Sequence, residues 1–376
     1  MTLPPPSTSP GTHKLLGLEL LRFIATISVL LWHYPHFAYV AASPVGLVRS
    51  ELPFYRVLFP FYELGEYGVV IFWCISGFIF FWKYSALIPN GAVDGWTFFV
   101  NRLSRLYPLH LATLLLVAAL QAVYVTQHGF YFVYQSNDPG HFLAQLLMAS
   151  DWLPPTGVSF NGPIWSVSIE VLVYAAFFLG LRFVTTSPLL NLAMILAGIA
   201  SGTLVGKCFV FFYAGGLAAM ARQSVADAPY RPKLEALAAC AAVGIPLALW
   251  LSGVALAERS AALLLIYTPI VLFVCARPLS LPGRIEDLVQ AAGNMTYSCY
   301  LLHFPIQLMI ALAFATWGQP IPYGGQLFWV GFMGLTLTAA YLTYALFEAP
   351  AQRLIRRALL RKSEAGRIAP APLPRH

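Results

Sequence analysis

Apolar residues in this chain run in blocks too long and too continuous for the faces of soluble helices. Mainly apolar windows cover 15–38, 64–84, 106–126, 163–181, 188–205, 207–221, 234–252, 260–276, 292–315 and 325–347. About 20 such residues cross a bilayer core of about 30 Å as a helix. The pattern therefore predicts an all-α, polytopic transmembrane bundle of about ten helices. Between the fifth and sixth windows, Gly202, Gly206 and Lys207 leave room for a tight turn and no more. Residues 1–13 are rich in Pro and Ser and read as a disordered tail. Residues 14–350 form the membrane domain. Residues 351–376 are basic and read as a tail, lying on an anionic leaflet or solvated. Val40-Ala41-Ala42 loosely resembles a signal-peptide cleavage site, but the apolar run from Leu15 is long for a signal peptide, so the helix is expected to be retained.

Composition excludes other classes. Of 376 residues, 59% are hydrophobic and 10% charged, against about 25% charged in soluble domains. Mean hydropathy is +0.71. A soluble fold, a disordered chain, a coiled coil and a disulfide scaffold do not fit these values. Cys74, Cys208, Cys240, Cys275 and Cys299 fall in apolar stretches without CxxC or metal spacing and read as small buried hydrophobes. No metal site, nucleotide-binding Gly motif, soluble domain, internal repeat or nucleic-acid patch stands out.

The net charge of +7 is informative through its distribution. With the N-terminus in the cytoplasm, most Lys and Arg fall inside, and only Arg49, Arg56, Lys207 and Arg259 fall outside. The positive-inside rule then puts both termini in the cytoplasm, with an even number of spans. The expected location is a bacterial inner membrane, multi-pass and in contact with lipid.

Ionisable groups inside a membrane are costly and mark candidate function. In the first window, Glu19, Arg22, His33 and His36 stand out. Arg22 and His33 lie about 20° from superposition on a helix and about 16 Å apart along its axis. One stripe thus carries a cation toward the cytoplasm and an imidazole toward the outside. It could line a cavity, or it could be a snorkelling Arg and an interfacial His. In the second window, Ser76 and Gly77 permit close helix packing, and Ser76 could instead face a cavity. Arg102 and Arg105 share a helix face at i and i+3 and suit phosphate, or serve as ordinary inner-leaflet anchors. In the fourth window, Glu170 is expected to pair with His33 and fix its tautomer, with Tyr174 nearby; a structural hydrogen bond to a Trp or Ser is the alternative. His303 sits in mid-span and could line the cavity. Glu348 reads better as a helix-to-helix hydrogen bond. The segment 127–162 mixes Tyr131, Phe132, Tyr134 and Trp152 with Asn137, Asp138 and Asp151, and Trp165 follows it. Such aromatics suit a sugar ring, or the aromatic belt of a membrane interface.

Five motifs occur in one order: Arg22-x10-His33, Phe-x-x-x-Ser-Gly-Phe ending at Phe78, Arg-x-x-Arg-Leu-Tyr-Pro from Arg102, Trp-Ser-x-Ser-x-Glu ending at Glu170, and Tyr-Leu-Leu-His-Phe-Pro from Tyr300. Together they resemble the acyltransferase-3 family of integral-membrane acyltransferases, over roughly residues 14–352. Glu19 stands where Asp is frequent in that family, and Cys74 where Val or Leu is usual. The resemblance implies an acyl-coenzyme A donor, acetyl by default, loaded from the cytoplasm. It implies an acceptor hydroxyl, commonly on a carbohydrate or lipid-linked sugar such as an exopolysaccharide or O-antigen unit. Arg102, Arg105 and Arg22 would hold the donor phosphates, His33 would take the acceptor proton with Glu170 orienting it, and Ser76 could steady an oxyanion. Direct transfer and an acyl-histidine both remain open, as do succinyl donors, macrolide-type acceptors and a homo-oligomer. A sugar transporter or flippase is the competing class, and a non-catalytic sensor or scaffold a third. Related halves with matching broken helices, expected of many transporters, are not visible in the sequence.

Overall fold

The computed structural model describes residues 15–152, 157–184, 186–252 and 260–367. The N-terminal tail expected over 1–13 and the end of the C-terminal segment lie outside the described residues.

The chain folds into α1 Leu16–His33, α2 Tyr55–Leu64, α3 Gly68–Tyr84, α4 Gly95–His128, α5 Pro139–Leu146, α6 Ile164–Phe183, α7 Pro188–Ser201 and α8 Leu204–Ser224. There follow α9 Arg231–Ser252, α10 Ser260–Cys275, α11 Gly283–Asn294, α12 Thr296–Thr316, α13 Gln326–Thr343 and α14 Ala349–Arg367. Tyr39–Val40 and Ser43–Pro44 make a two-residue antiparallel hairpin after α1. Among the described residues, eight helical stretches are long and apolar enough to cross a membrane, and Pro188–Ser201 and Leu264–Cys275 are shorter apolar helices. Those ten coincide with the ten apolar windows.

The ends of several helices follow from local chemistry. The Asp94 carboxylate accepts from Thr97 N at 2.8 Å and caps α4. At its other end, Gly129 takes φ 78, a left-handed conformation that costs glycine nothing. The tight turn expected near Gly202 is Gly202 itself at φ 58, followed by Thr203, whose hydroxyl caps α8 through Gly206 N at 3.0 Å.

Three helices extend past their windows. Residues 55–84 form one nearly continuous stretch, with a 3-10 turn at Gly65–Tyr67. With 34 residues, α4 is about 51 Å long. It therefore projects beyond a bilayer core and carries Arg102 and Arg105 on a preformed helix. The boundary placed at 350 falls inside another continuous helix: α13 passes through a π turn at Tyr344–Glu348 directly into α14. A π turn adds one residue to the helical repeat and rotates the chain beyond it.

The centre of the bundle is α3 packed on α8, with α6 beside them. Small residues allow the contact. A Cβ on Gly77 would lie 1.8 Å from Phe212 O, and one on Gly215 would lie 1.9 Å from Cys74 O. Around this seam Phe80, Phe81, Phe177, Phe212 and Tyr213 fill the core edge-to-face. Gly77→Ala must push two helix backbones apart. It is expected to cost about 3 kcal/mol, readable as a lower melting temperature of the detergent-purified protein.

Candidate active site

α1 and α12 run in parallel and carry the polar groups of the centre between them. Near their first turns, Arg22 Nη2 donates to Thr296 Oγ1 at 3.1 Å, and Arg22 Nη1 donates to Glu19 Oε2 at 3.0 Å. Three turns on, Gln307 Nε2 donates to His33 O at 2.8 Å. Arg22 and His33 thus occupy one stripe, as their spacing predicts, and both face α12.

At the Arg22 level a cavity of about 370 Å³ opens at the basic end of the bundle. α1 contributes Glu19 and Arg22, and α3 contributes Phe72, Trp73, Ser76, Phe80, Lys83 and Tyr84. α4 adds Asn101, Arg102 and Arg105, while α6 adds Ser166, Glu170 and Tyr174. Thr296, Tyr297 and Tyr300 come from α12, and Gln352 and Arg356 from α14. Five cations against two carboxylates give this cavity a strongly positive wall. Arg102 is held rigidly: its guanidinium lies 4.9 Å from the Phe80 ring centroid, and Nη2 donates to Tyr84 Oη at 3.3 Å. Arg102 Nε and Asn101 Oδ1 are buried and have no hydrogen-bond partner. A buried polar atom without a partner costs about 1–3 kcal/mol, so these two atoms suit a ligand in the cavity.

Glu170 lies in this same cavity and not beside His33. Tyr174 Oη donates to Glu170 Oε1 at 2.6 Å. Ser76 is its second hydrogen-bonding neighbour, and Arg102 and Arg22 are the nearby charges. The expected Glu170–His33 pair is therefore not formed. The reason is the depth of the α6 N-terminus. Pro163 does not sit at the outer surface: its carbonyl accepts from Tyr300 Oη at 2.9 Å, and Asn161 Nδ2 donates to Leu301 O at 3.1 Å. α6 thus begins inside the protein, level with the second turn of α12. Seven residues further on, Glu170 is about 10 Å nearer the basic end.

His33 belongs to a separate cluster. Its ring centroid is 4.9 Å from that of His303 and 5.0 Å from that of His36. His33 Nδ1 lies 2.8 Å from Val29 O. A carbonyl only accepts, so Nδ1 carries the proton and Nε2 is left as the basic nitrogen. Around the ring, His36 Nδ1 and Gln307 Oε1 are buried without a hydrogen-bond partner among the described residues. Among the described residues no group of His, Cys, Asp and Glu is arranged to hold a metal ion.

Tyr300 stands between the two compartments. It lines the cavity, its hydroxyl lies 2.7 Å from Ser166 Oγ, and its ring centroid is 6.1 Å from that of His303. On the other side, the segment after α4 folds over the histidines. Tyr134 packs on Phe304 at 4.7 Å and on His36 at 5.8 Å. The next residue back, Val133, is held at φ 59, an unfavourable conformation for a β-branched side chain.

The structure thus gathers Arg22, Ser76, Arg102, Arg105, Glu170 and Tyr174 in one cavity, and places His33 with His303 beyond Tyr300. Trp165 lines neither compartment. It packs perpendicular to Trp73 at 5.8 Å, and Trp73 is the indole at the cavity wall. Glu348 accepts from Ser298 Oγ at 2.6 Å, the helix-to-helix bond expected of it. Sequence reasoning passed over Tyr300, Gln307, Gln352 and Arg356. Tyr300 lies one turn before His303 and shares its helix face, a signal that was available. Gln352 and Arg356 sit at i and i+4, a spacing that marks one face of a helix only if 351–367 is helical.

A polytopic helical membrane protein with a cationic cavity, and a histidine cluster behind its Tyr300 wall, is the class that fold and site define. The chain belongs to the acyltransferase family described as "Acyltransferase domain", whose profile matches residues 15–345. It is 29% identical over 202 residues to Acyltransferase MdmB from Streptomyces mycarofaciens, a match covering 52% of this chain and 46% of that protein. The chain therefore spans about half the length of that curated relative. No solved structure matches significantly.

Proposed function

We propose that this chain is a membrane O-acyltransferase that moves an acyl group from acyl-coenzyme A to a hydroxyl of a carbohydrate acceptor. One observation carries the reading. A cavity with five cations on its wall ends at Tyr300, whose ring borders the histidine cluster. Coenzyme A is a slender thiol arm attached to a phosphate-rich nucleotide. Such a molecule suits a site that is cationic at its mouth and narrow within. The positive-inside rule puts that mouth in the cytoplasm, where acyl-coenzyme A is made. Acetyl is the donor we favour, because Phe72, Trp73 and Tyr300 crowd the inner end.

In the reaction, His33 Nε2 takes the proton from the acceptor hydroxyl as its oxygen attacks the thioester carbonyl. The carbon–sulfur bond breaks, and the thiolate leaves with the proton that His33 has received. The new ester stays on the acceptor. The Gln307 oxygen and the His303 ring are the hydrogen-bonding groups suited to a polyhydroxylated acceptor.

The test is acyl-coenzyme A binding to the purified full-length protein, followed by thiol release when candidate sugar acceptors are added. Saturable binding of acetyl-coenzyme A is expected. A folded preparation that binds neither acetyl-, succinyl- nor longer acyl-coenzyme A would overturn the reading.

A further inference from the structure

The family profile ends at residue 345, yet the cavity does not. Two of its lining residues, Gln352 and Arg356, lie on α14 beyond that limit. They are one helical turn apart and share a face. α14 is held in place at two points. At its start, the π turn ends at Glu348, buried to 2% exposure and bonded to Ser298 of α12. Along its length it packs on α4, where Trp96 Nε1 donates to Leu359 O at 3.4 Å. The helix is thus fixed against the same element that carries Arg102 and Arg105. Arg353 and Arg357 are also exposed on α14 but do not line the cavity.

We propose that α14 completes the donor site, with Arg356 binding the 3′-phosphate of the coenzyme A nucleotide and Gln352 contacting the same end of the molecule. The inference rests on the acyl-coenzyme A reading above and assigns one of its phosphates. The argument is one of depth. Arg22 is half-buried and bonded to Thr296 well inside the bundle, and Arg102 and Arg105 follow on α4. Lys83 and Arg356 are exposed at the rim. A thioester directed toward Tyr300 leaves the pyrophosphate at the level of Arg102 and Arg105. The ribose phosphate, at the far end of the molecule, then falls at the rim. An exposed guanidinium beside a dianionic phosphate forms charge-assisted hydrogen bonds that a neutral side chain does not replace.

The experiment compares acetyl-coenzyme A with acetyl-3′-dephospho-coenzyme A on the full-length protein, measuring Kd for wild type, Arg356→Gln and Arg357→Gln. For acetyl-coenzyme A, Arg356→Gln is expected to weaken binding about tenfold, and for the dephospho compound by less than about twofold. Arg357→Gln, which removes the same charge from the same helix, is expected to leave both unchanged. Equal losses of both compounds with Arg356→Gln, or equal losses in the two variants, would overturn the assignment, because the charge would then act without regard to the 3′-phosphate. A wild type that binds both compounds with no preference would overturn it as well while sparing the donor reading. A wild type that binds neither would remove the donor reading itself.

Discussion

His33→Ala is expected to lower acyl transfer by about a thousandfold while leaving acetyl-coenzyme A affinity within about twofold of wild type. The split follows from where the residue stands. His33 is absent from the wall of the cationic cavity, so its removal takes nothing from the phosphate contacts. What it removes is an imidazole whose tautomer the fold fixes. The Val29 carbonyl holds the proton on Nδ1 and presents Nε2 as the base. Water does not take over readily, because the ring lies among His36, His303 and Gln307 in the protein interior. The measurement is a rate of ester formation paired with a binding isotherm on the same preparation. Transfer within a few-fold of wild type would take His33 out of the chemistry and shift attention to His303. A parallel loss of donor affinity would instead place His33 in donor binding.

Much of this architecture is legible in the sequence because membrane helices report themselves by length and hydropathy. The ten apolar windows are the ten helices. The Arg22–His33 stripe also survives intact, since a helical repeat fixes which residues share a face whatever packs against them. Arg102 and Arg105 meet Arg22 in one cavity for a similar reason: a motif at a helix end keeps its position along the membrane normal. What the sequence does not carry is depth relative to other helices. Glu170 and His33 were expected to pair because α6 was taken to start at the membrane surface. It starts instead at a buried Pro163, whose carbonyl is engaged by Tyr300. Nothing in Asn161-Gly162-Pro163 signals that burial before α12 is in place. Arg356 was hidden for another reason. Pro350 usually limits a helix, but here it follows directly on the π turn at Tyr344–Glu348, and the chain continues as helix past it. Basic residues after an apolar span read as a tail unless a partner such as α4 is known.

The relocation of Glu170 changes its meaning. It neighbours Ser76, Tyr174, Arg102 and Arg22, so it belongs to the cationic cavity. Its carboxylate and the Arg102 guanidinium are oriented by the same aromatic wall: Tyr174 stacks on Phe80 at 4.3 Å, and the Arg102 guanidinium lies 4.9 Å from the Phe80 centroid and 5.9 Å from that of Tyr84. The cavity is thus preorganised on its α3, α4 and α6 sides, and a ligand bound there would spend little binding energy on ordering those side chains.

From that preorganisation follows the second large effect. Arg102→Ala with Arg105→Ala is expected to weaken acetyl-coenzyme A binding by at least about a hundredfold, since a hydrogen bond to a charged group contributes about 1.5–3 kcal/mol. Arg102 should account for the larger share. Its guanidinium is already fixed over Phe80 and bonded to Tyr84, and its Nε is buried without a partner, so it loses little freedom on gripping a phosphate. Arg102→Lys is expected to rescue poorly, because an ammonium neither stacks on that ring nor offers two parallel donors. Calorimetry on the single and double variants, at two salt concentrations, separates the contributions. A wild-type affinity that falls steeply with salt, and a double variant that is nearly insensitive to it, would mark these two residues as the main phosphate contacts. If the double variant instead keeps wild-type affinity and salt dependence, the nucleotide does not sit on α4, and the cationic cavity must serve an anion of another kind.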